Sequence, residues 1–196
     1  VEERGEGKSG KTGGRKPVLL HFCDDMRYVG ALDISFQDPV CAIADLKCQT
    51  VGLKRIRGGQ KASPDERKKM ILHAFLETLG EKDIPLEKLD TVVICHPGII
   101  KDEMGGHYAV KQHHAWTEIG IGDYLRGRLL ASVIVQNDIN LAALGEWRFG
   151  FAHRPDNMIY VSCGVGLGMG IILEDRLYEG ADRAAGELCS TIDENG

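Results

Sequence analysis

Asn137-Asp138 closes the apolar run Val133-Ile134-Val135-Gln136 and opens a stretch with helical periodicity, so a carboxamide and a carboxylate meet where a strand ends and a helix begins. A carboxylate at the carboxyl end of a parallel strand lies where ligands bind in open α/β sheets. It can accept hydrogen bonds from two hydroxyls, or take the proton from a hydroxyl that attacks a phosphoryl group. The plainer role for both residues is to cap the helix, and Asn137 can do both. Downstream, Glu187 follows the small-residue approach Ala184-Ala185-Gly186, where a surface acid is the ordinary alternative. Between them, Gly164, Gly166, Gly168 and Gly170 stand at alternate positions in Ser162-Cys163-Gly164-Val165-Gly166-Leu167-Gly168-Met169-Gly170-Ile171. Such a backbone offers clear amide N–H groups to a phosphate or to sugar oxygens, or else the glycines serve tight turning and packing.

Elements of definite kind must hold these residues. Residues 1–17 read as a flexible basic linker, with Lys8, Lys11, Arg15 and Lys16 among Gly, Ser and Thr. Strands are predicted at residues 18–22, 28–34, 39–45 and 50–56, the last three as an antiparallel meander. A helix then starts at Ser63 as cap with Pro64, Asp65 and Glu66 in its first turn, carries Met70, Ile71, Ala74, Phe75, Thr78 and Leu79 along one side, and ends at Gly80. Thr91-Val92-Val93-Ile94-Cys95 reads as a strand covered on both faces. Helices at 123–130 and 139–149 flank the strand before Asn137, and a fresh glycine hairpin follows. The order β-β-β-α-β-α-β-α is that of one half of an actin-like or ribonuclease-H-like fold. The expected division is a linker over 1–17, an N-terminal α/β lobe over 18–150 and the beginning of a second α/β lobe over 151–196.

Composition narrows the classes. The 196 residues suffice for one domain and part of another. With 29 acidic against 24 basic residues and a formal charge of −5, the chain is no electrostatic match for nucleic acid. The six cysteines, at 23, 41, 48, 95, 163 and 189, lack metal-ligand spacing and read as reduced, buried small hydrophobes. His113-His114 have no partners in spacing and read as surface residues, so no metal is assigned. No apolar run matches a membrane span or a signal peptide, and a cytoplasmic protein with no membrane partner is expected.

In one colinear order, Asn137-Asp138-Ile139-Asn140-Leu141-Ala142-Ala143-Leu144-Gly145-Glu146, the glycine run 164–172, Gly180 and Ala185-Gly186-Glu187-Leu188 resemble the ROK family of repressors and sugar kinases. Pro97-Gly98-Ile99-Ile100, Trp116 and the Gly-Arg-Lys-Pro linker fit the same pattern, so that the likeness spans about residues 13–196. The resemblance implies an actin-like, ATPase-type sugar kinase fold of two lobes. A hexose would lie in the cleft, held by Asn137, Asp138 and, from the second lobe, Glu187, with the loop at Gly98 shaping sugar choice.

The departures from the family pattern lie on the nucleotide side. Family kinases open their first hairpin with an Asp, two glycines and a Thr that grip phosphate and magnesium, whereas this chain reads Asp33-Ile34-Ser35-Phe36-Gln37. In the second loop, Gly164, Val165, Gly166 and Gly168, the family's hydroxyl residue is replaced by Val165, which donates nothing to a phosphate oxygen. The sugar-side residues remain, as in the NagC/XylR-like regulator branch. The family's zinc-binding His is replaced by Ser190, not a strong ligand. Either that zinc has been given up or its cysteines lie beyond Gly196.

The first expectation is thus the sugar-sensing effector domain of a transcriptional regulator, dimeric at full length, without cofactor in this stretch and reaching DNA through a helix-turn-helix before Val1. An ATP- and magnesium-dependent hexose or N-acetylhexosamine kinase is the alternative, with Asp138 as catalytic base and Asp33 as magnesium carboxylate. A dimerisation module without ligand is the third.

Overall fold

The computed structural model describes residues 1–7, 16–35, 38–100, 115–117, 119–164 and 166–188. Its first element is a surprise for an acidic, glycine-punctuated start. Strand β1 (Glu2–Glu6) pairs antiparallel with β2 (Val18–His21), Glu2 opposite His21 and Glu6 opposite Val18. The expectation of a linker over 1–17 is therefore corrected for residues 2–6. Val18-Leu19-Leu20 offers a strand edge of high β propensity, the Gly7 amide donates to the Pro17 carbonyl at 2.7 Å, and Lys16 pairs with Glu6 at 3.2 Å. Lys8, Lys11 and Arg15 lie outside the described residues.

The first lobe is built on a five-stranded mixed sheet. Strands β3 (Tyr28–Asp33), β4 (Val40–Asp45) and β5 (Thr50–Arg55) form the expected antiparallel meander. Helix α1 (Pro64–Glu81) crosses over the β4 and β5 side and leads to β6 (Leu89–His96), which lies parallel to β3. The start of α1 follows its sequence: Ser63 accepts from the Glu66 amide, and Glu66 accepts from the Ser63 amide at 2.7 Å in a reciprocal capping box. Gly80 does not end it. The helix runs on to Glu81, and the left-handed residue is Asp83, with φ 52°. Ile71, Ala74, Phe75 and Leu79 are buried against the sheet as the periodicity predicts, and Phe75 is fully enclosed.

Helix α2 (Ile121–Arg126) precedes β7 (Ser132–Asn137), parallel to β6, and α3 (Asp138–Phe149) follows without a gap, giving the sheet order β5-β4-β3-β6-β7. Helix α2 is shorter than the expected 123–130 and begins earlier, because Gly120 turns the chain at φ 62° and Gly127 caps it. Val92 and Ile94 of β6 are fully buried, while Thr91, Val93 and Cys95 on the opposite face are only half-buried, so the strand is not covered equally on both faces.

After α3 the segment to residue 157 is held back against the helix, with the Trp147 indole donating to the Pro155 carbonyl at 2.8 Å and the Arg154 guanidinium 4.2 Å from the Trp147 ring. The second sheet then opens with the antiparallel strands β8 (Met158–Cys163), β9 (Leu167–Leu173) and β10 (Arg176–Leu177), in the order β10-β9-β8. It packs on α3, so the helix that begins at Asp138 is shared between the two sheets. Among the described cysteines, Cys23 and Cys41 are buried but Cys48 and Cys163 are exposed. Cys48 lies in the turn between β4 and β5 and Cys163 on the outward-alternating face of β8, positions that an apolar run alone does not reveal. Among the described residues no helix is long and apolar enough to cross a membrane.

Candidate functional site

The carboxyl ends of the three parallel strands lie side by side. Asp33 of β3 is in register with Cys95 of β6, Cys95 with Gln136 of β7, and His96 with Asn137. Parallel pairing therefore brings residues remote in sequence into one row at the edge where open α/β sheets bind ligands.

Asn137 performs the capping role. Its side-chain oxygen accepts from the Asn140 amide at 2.9 Å, its amide nitrogen donates to the Gly98 carbonyl at 3.0 Å, and its backbone N–H donates to the Gln136 side-chain oxygen at 2.7 Å. One side chain thus starts α3 and ties down Gly98, whose φ of 103° is open only to glycine at low cost. Each end of the amide retains a second hydrogen-bonding position for a ligand.

Asp138 is the first residue of α3, half-buried, and accepts from the Ile139 amide at 2.9 Å. Burial pushes its carboxyl above the ordinary carboxylate range; the nearby Ser35 side chain and the Ile139 amide favour the ionised form and oppose that rise, and the charge of Asp33 adds to it. Glu187 is raised for the same two kinds of reason, burial first and then the charge of Asp138. Asp138 is therefore the common electrostatic neighbour of Asp33 and Glu187. Cys95 lies close to the same charges, its thiol pushed up to about 12 by burial and then by Asp33 and Asp138. At the neighbouring strand end, the buried His96 ring sets its two nitrogens 2.7 Å from the Pro97 carbonyl and 3.1 Å from the Thr117 carbonyl.

Glu187 reaches this row because the second sheet is drawn in close. A Cβ on Gly168 would come within 2.9 Å of the Ile139 side chain, and one on Gly170 within 2.4 Å of the Ala143 Cβ. Glycine at both places lets β9 lie directly on α3. Gly186, at φ 90°, accepts from the Met169 amide at 3.1 Å, and a Cβ there would fall 1.8 Å from the Met169 carbonyl oxygen. Glu187 is thereby docked against β9, and β9 against the helix that carries Asp138.

The glycine run accordingly divides in two. Gly168 and Gly170 serve packing, whereas Gly164 and Gly166 have open space beside them, the Gly164 amide donating to the Gly166 carbonyl at 2.9 Å. Those two leave backbone clear for an approaching group. Val165, Phe36 and Gln37 lie outside the described residues, as do His113, His114, Cys189 and Ser190. Among the described residues no group of three His, Cys, Asp or Glu side chains is placed to hold a metal.

Ser35, Gln136, Glu179 and Cys95 belong to the surroundings of the site without having been marked as such by sequence. Ser35 is two residues beyond Asp33, to whose carboxylate its amide donates at 2.9 Å, whereas Cys95 neighbours the marked carboxylates only through the sheet register. Gln136 is next to Asn137 in the chain, and its partner, Glu179, becomes visible only in three dimensions.

Comparison with known proteins agrees with this architecture. Residues 29–192 match the model of the ROK family. The xylose repressor of Bacillus subtilis strain 168 is 30% identical over 200 residues, which takes in 100% of this chain and 50% of the repressor. The chain thus spans about half the length of the curated relatives it matches. Among solved structures, a ROK family transcriptional regulator homologous to the Escherichia coli MLC protein superposes with a TM-score of 0.71 at 21% identity, covering 86% of this chain and 42% of that one. A ROK family glucokinase from Streptomyces griseus, solved with glucose and AMPPNP, superposes with a TM-score of 0.63 at 24% identity, covering 82% of this chain and 49% of the enzyme. These likenesses establish the actin-like sugar kinase fold, and this chain belongs to the ROK family.

Proposed function

We propose that this chain is the sugar-sensing effector portion of a ROK-type transcriptional regulator, with the sugar bound between the first lobe and the segment that carries Glu187. The observation that carries the reading is that Asp138, opening α3 at the ends of the parallel strands, feels the charge of Asp33 and imposes its own on Glu187. Ionised carboxylates are acceptors only, and a polyol supplies the donors they lack. Neutral hydroxyls also satisfy closely spaced carboxylates without adding charge to the site.

The likeness over the whole chain to xylose repressors makes D-xylose the first sugar to test, alongside hexoses and amino sugars. With a formal charge of −5, these residues are poorly suited to DNA, so in this reading operator contact is made elsewhere in the regulator. Sugar would act by favouring one arrangement of the lobes and so the spacing of DNA-binding heads in a dimer.

A kinase is the second reading, favoured by one observation: a carboxyl raised by burial, as in Asp138, is suited to take a hydroxyl proton. ATP and magnesium would then be required, with Asp33 and the open backbone at Gly164 and Gly166 on the nucleotide side. Calorimetry on the intact protein with the sugar panel, combined with reporter assays of Asp138→Ala at regulated promoters, tests the first reading. Absence of binding and of any regulatory change would sink it. Sugar-dependent ATP turnover that Asp138→Asn abolishes would transfer the assignment to the kinase.

A further inference from the structure

We propose that Gln136 and Glu179 are positioning residues: a hydrogen bond between their side chains sets where Glu187 stands relative to Asp138. This rests on the sugar-site reading above for its functional meaning, but not for its geometry.

Gln136 is the residue before Asn137, and both ends of its amide are used. Its oxygen accepts from the Asn137 backbone N–H at 2.7 Å, and its nitrogen donates to a Glu179 carboxylate oxygen at 3.0 Å. The first bond fixes the amide's orientation, because a flip would turn NH₂ toward another N–H. The donor must therefore face Glu179.

Glu179 in turn governs the segment leading to Glu187. Its backbone carbonyl accepts from the Ala185 amide at 3.0 Å, closing a short loop, and its carboxylate lies 3.8 Å from the Arg183 guanidinium. Arg183 has a left-handed backbone, φ 55°, which an arginine does not adopt without restraint from its surroundings. Gly186 and Glu187 follow directly. The Glu179 side chain is 24% exposed, so its bond to Gln136 is sheltered and charge-assisted.

A tether is needed here. Both Asp138 and Glu187 are carboxylates, and the charge of Asp138 adds to the cost of ionising Glu187, so their interaction opposes the approach of the two elements. The Met169–Gly186 bond fastens the loop to β9, and Gln136–Glu179 fastens it to β7, the strand that delivers Asn137 and Asp138.

Exchanging the chemistry of the pair tests this. Gln136→Glu keeps an oxygen for the Asn137 amide but sets a carboxylate against Glu179; adding Glu179→Gln restores a donor and an acceptor with the direction reversed. The measurements, on the intact protein, are amide hydrogen exchange over residues 179–188 without ligand, and calorimetry with D-xylose. Loss of a hydrogen bond to a charged group predicts that Gln136→Glu speeds exchange and weakens xylose binding, each by about tenfold. The double exchange should return both toward the unsubstituted values, which a loss of general stability would not do. Unchanged exchange in Gln136→Glu, or no recovery in a double variant that melts normally, overturns the proposal. Recovery of exchange in a protein that binds none of the sugar panel supports the tether and rejects the sugar reading instead.

Discussion

The Asn137 side chain donates to the Gly98 carbonyl at 3.0 Å while its oxygen caps α3 through the Asn140 amide at 2.9 Å, so one residue couples a helix start to the loop after β6. The two functions can be separated. Asn137→Asp retains an excellent capping oxygen but sets a carboxylate against the Gly98 carbonyl, whereas Asn137→Ala loses both contacts. By thermal denaturation, Asn137→Ala is expected to lose about 1 kcal/mol from the cap alone. Asn137→Asp should melt nearer to the unsubstituted protein yet bind sugar more weakly, measured by calorimetry. Equal affinity in Asn137→Asp would remove the Gly98 tether from the account of the site.

Asp138 gives a signed pH prediction. A carboxyl raised by burial holds its proton more tightly in the native chain than in the unfolded one, so stability falls as pH rises from the ordinary carboxylate range through the raised value. Above that value the penalty is fully present. Asp138→Asn removes it and is expected to melt higher than the unsubstituted protein at neutral pH, with the difference closing at acid pH where the carboxyl is already neutral. Calorimetric sugar affinity should move the other way, falling by roughly tenfold to a hundredfold for loss of a charged acceptor worth about 1.5–3 kcal/mol. In the unsubstituted protein, affinity should decline on acidification as Asp138 and Glu187 take up protons. A flat affinity profile across that range would argue against carboxylate acceptors.

The two halves of the glycine run should respond differently. A Cβ at position 170 meets Ala143 at 2.4 Å and the Ile139 carbonyl at 3.0 Å, neither of which is the mobile end of a long side chain. Gly170→Ala is expected to cost about 1–3 kcal/mol by overpacking, read as a lowered denaturation midpoint. Gly164→Ala meets open space and should change stability by less than about 0.5 kcal/mol. In a sensor, Gly164→Ala should also leave sugar binding unaltered. A selective loss of nucleotide binding in that variant would favour the kinase reading.

Much of this was legible in the sequence where local chemistry decides. The Ser63-Pro64-Asp65-Glu66 start of α1 and the junction at Asn137-Asp138 are set by neighbouring residues, and both form as their composition requires. The meander of β3, β4 and β5 likewise follows from alternating apolar residues and short turns. What sequence could not supply is the cause of features that depend on a distant partner. Gly168 and Gly170 look identical to Gly164 and Gly166 until Ile139 and Ala143 are seen beneath them. The strand at Glu2–Glu6 has poor propensity and forms by pairing with Val18–His21, a long-range contact that composition hides. The raised Asp138 and Glu187 depend on burial and on a distant carboxylate, Asp33 for Asp138 and Asp138 for Glu187, which their flanking residues do not disclose.

Gly186 provides the test of how Glu187 is delivered. Its φ of 90° disfavours any side chain, and its position against the Met169 carbonyl, 1.8 Å from where a Cβ would stand, leaves no room for one. Backbone strain of this kind costs about 1–3 kcal/mol, and relief of the clash would also require the loop to leave β9. Gly186→Ala is therefore expected both to lower thermal stability and to abolish measurable sugar binding. Glu187→Gln keeps the loop, the Gly186–Met169 bond and the size of the side chain while removing the charge repelled by Asp138. It should melt no lower than the unsubstituted protein and still lose affinity for sugar, because a neutral amide accepts hydroxyl hydrogen bonds less strongly than a carboxylate. Affinity unchanged in Glu187→Gln, together with loss in Gly186→Ala, would assign the loop a structural role and leave Asn137 and Asp138 as the groups that hold the ligand.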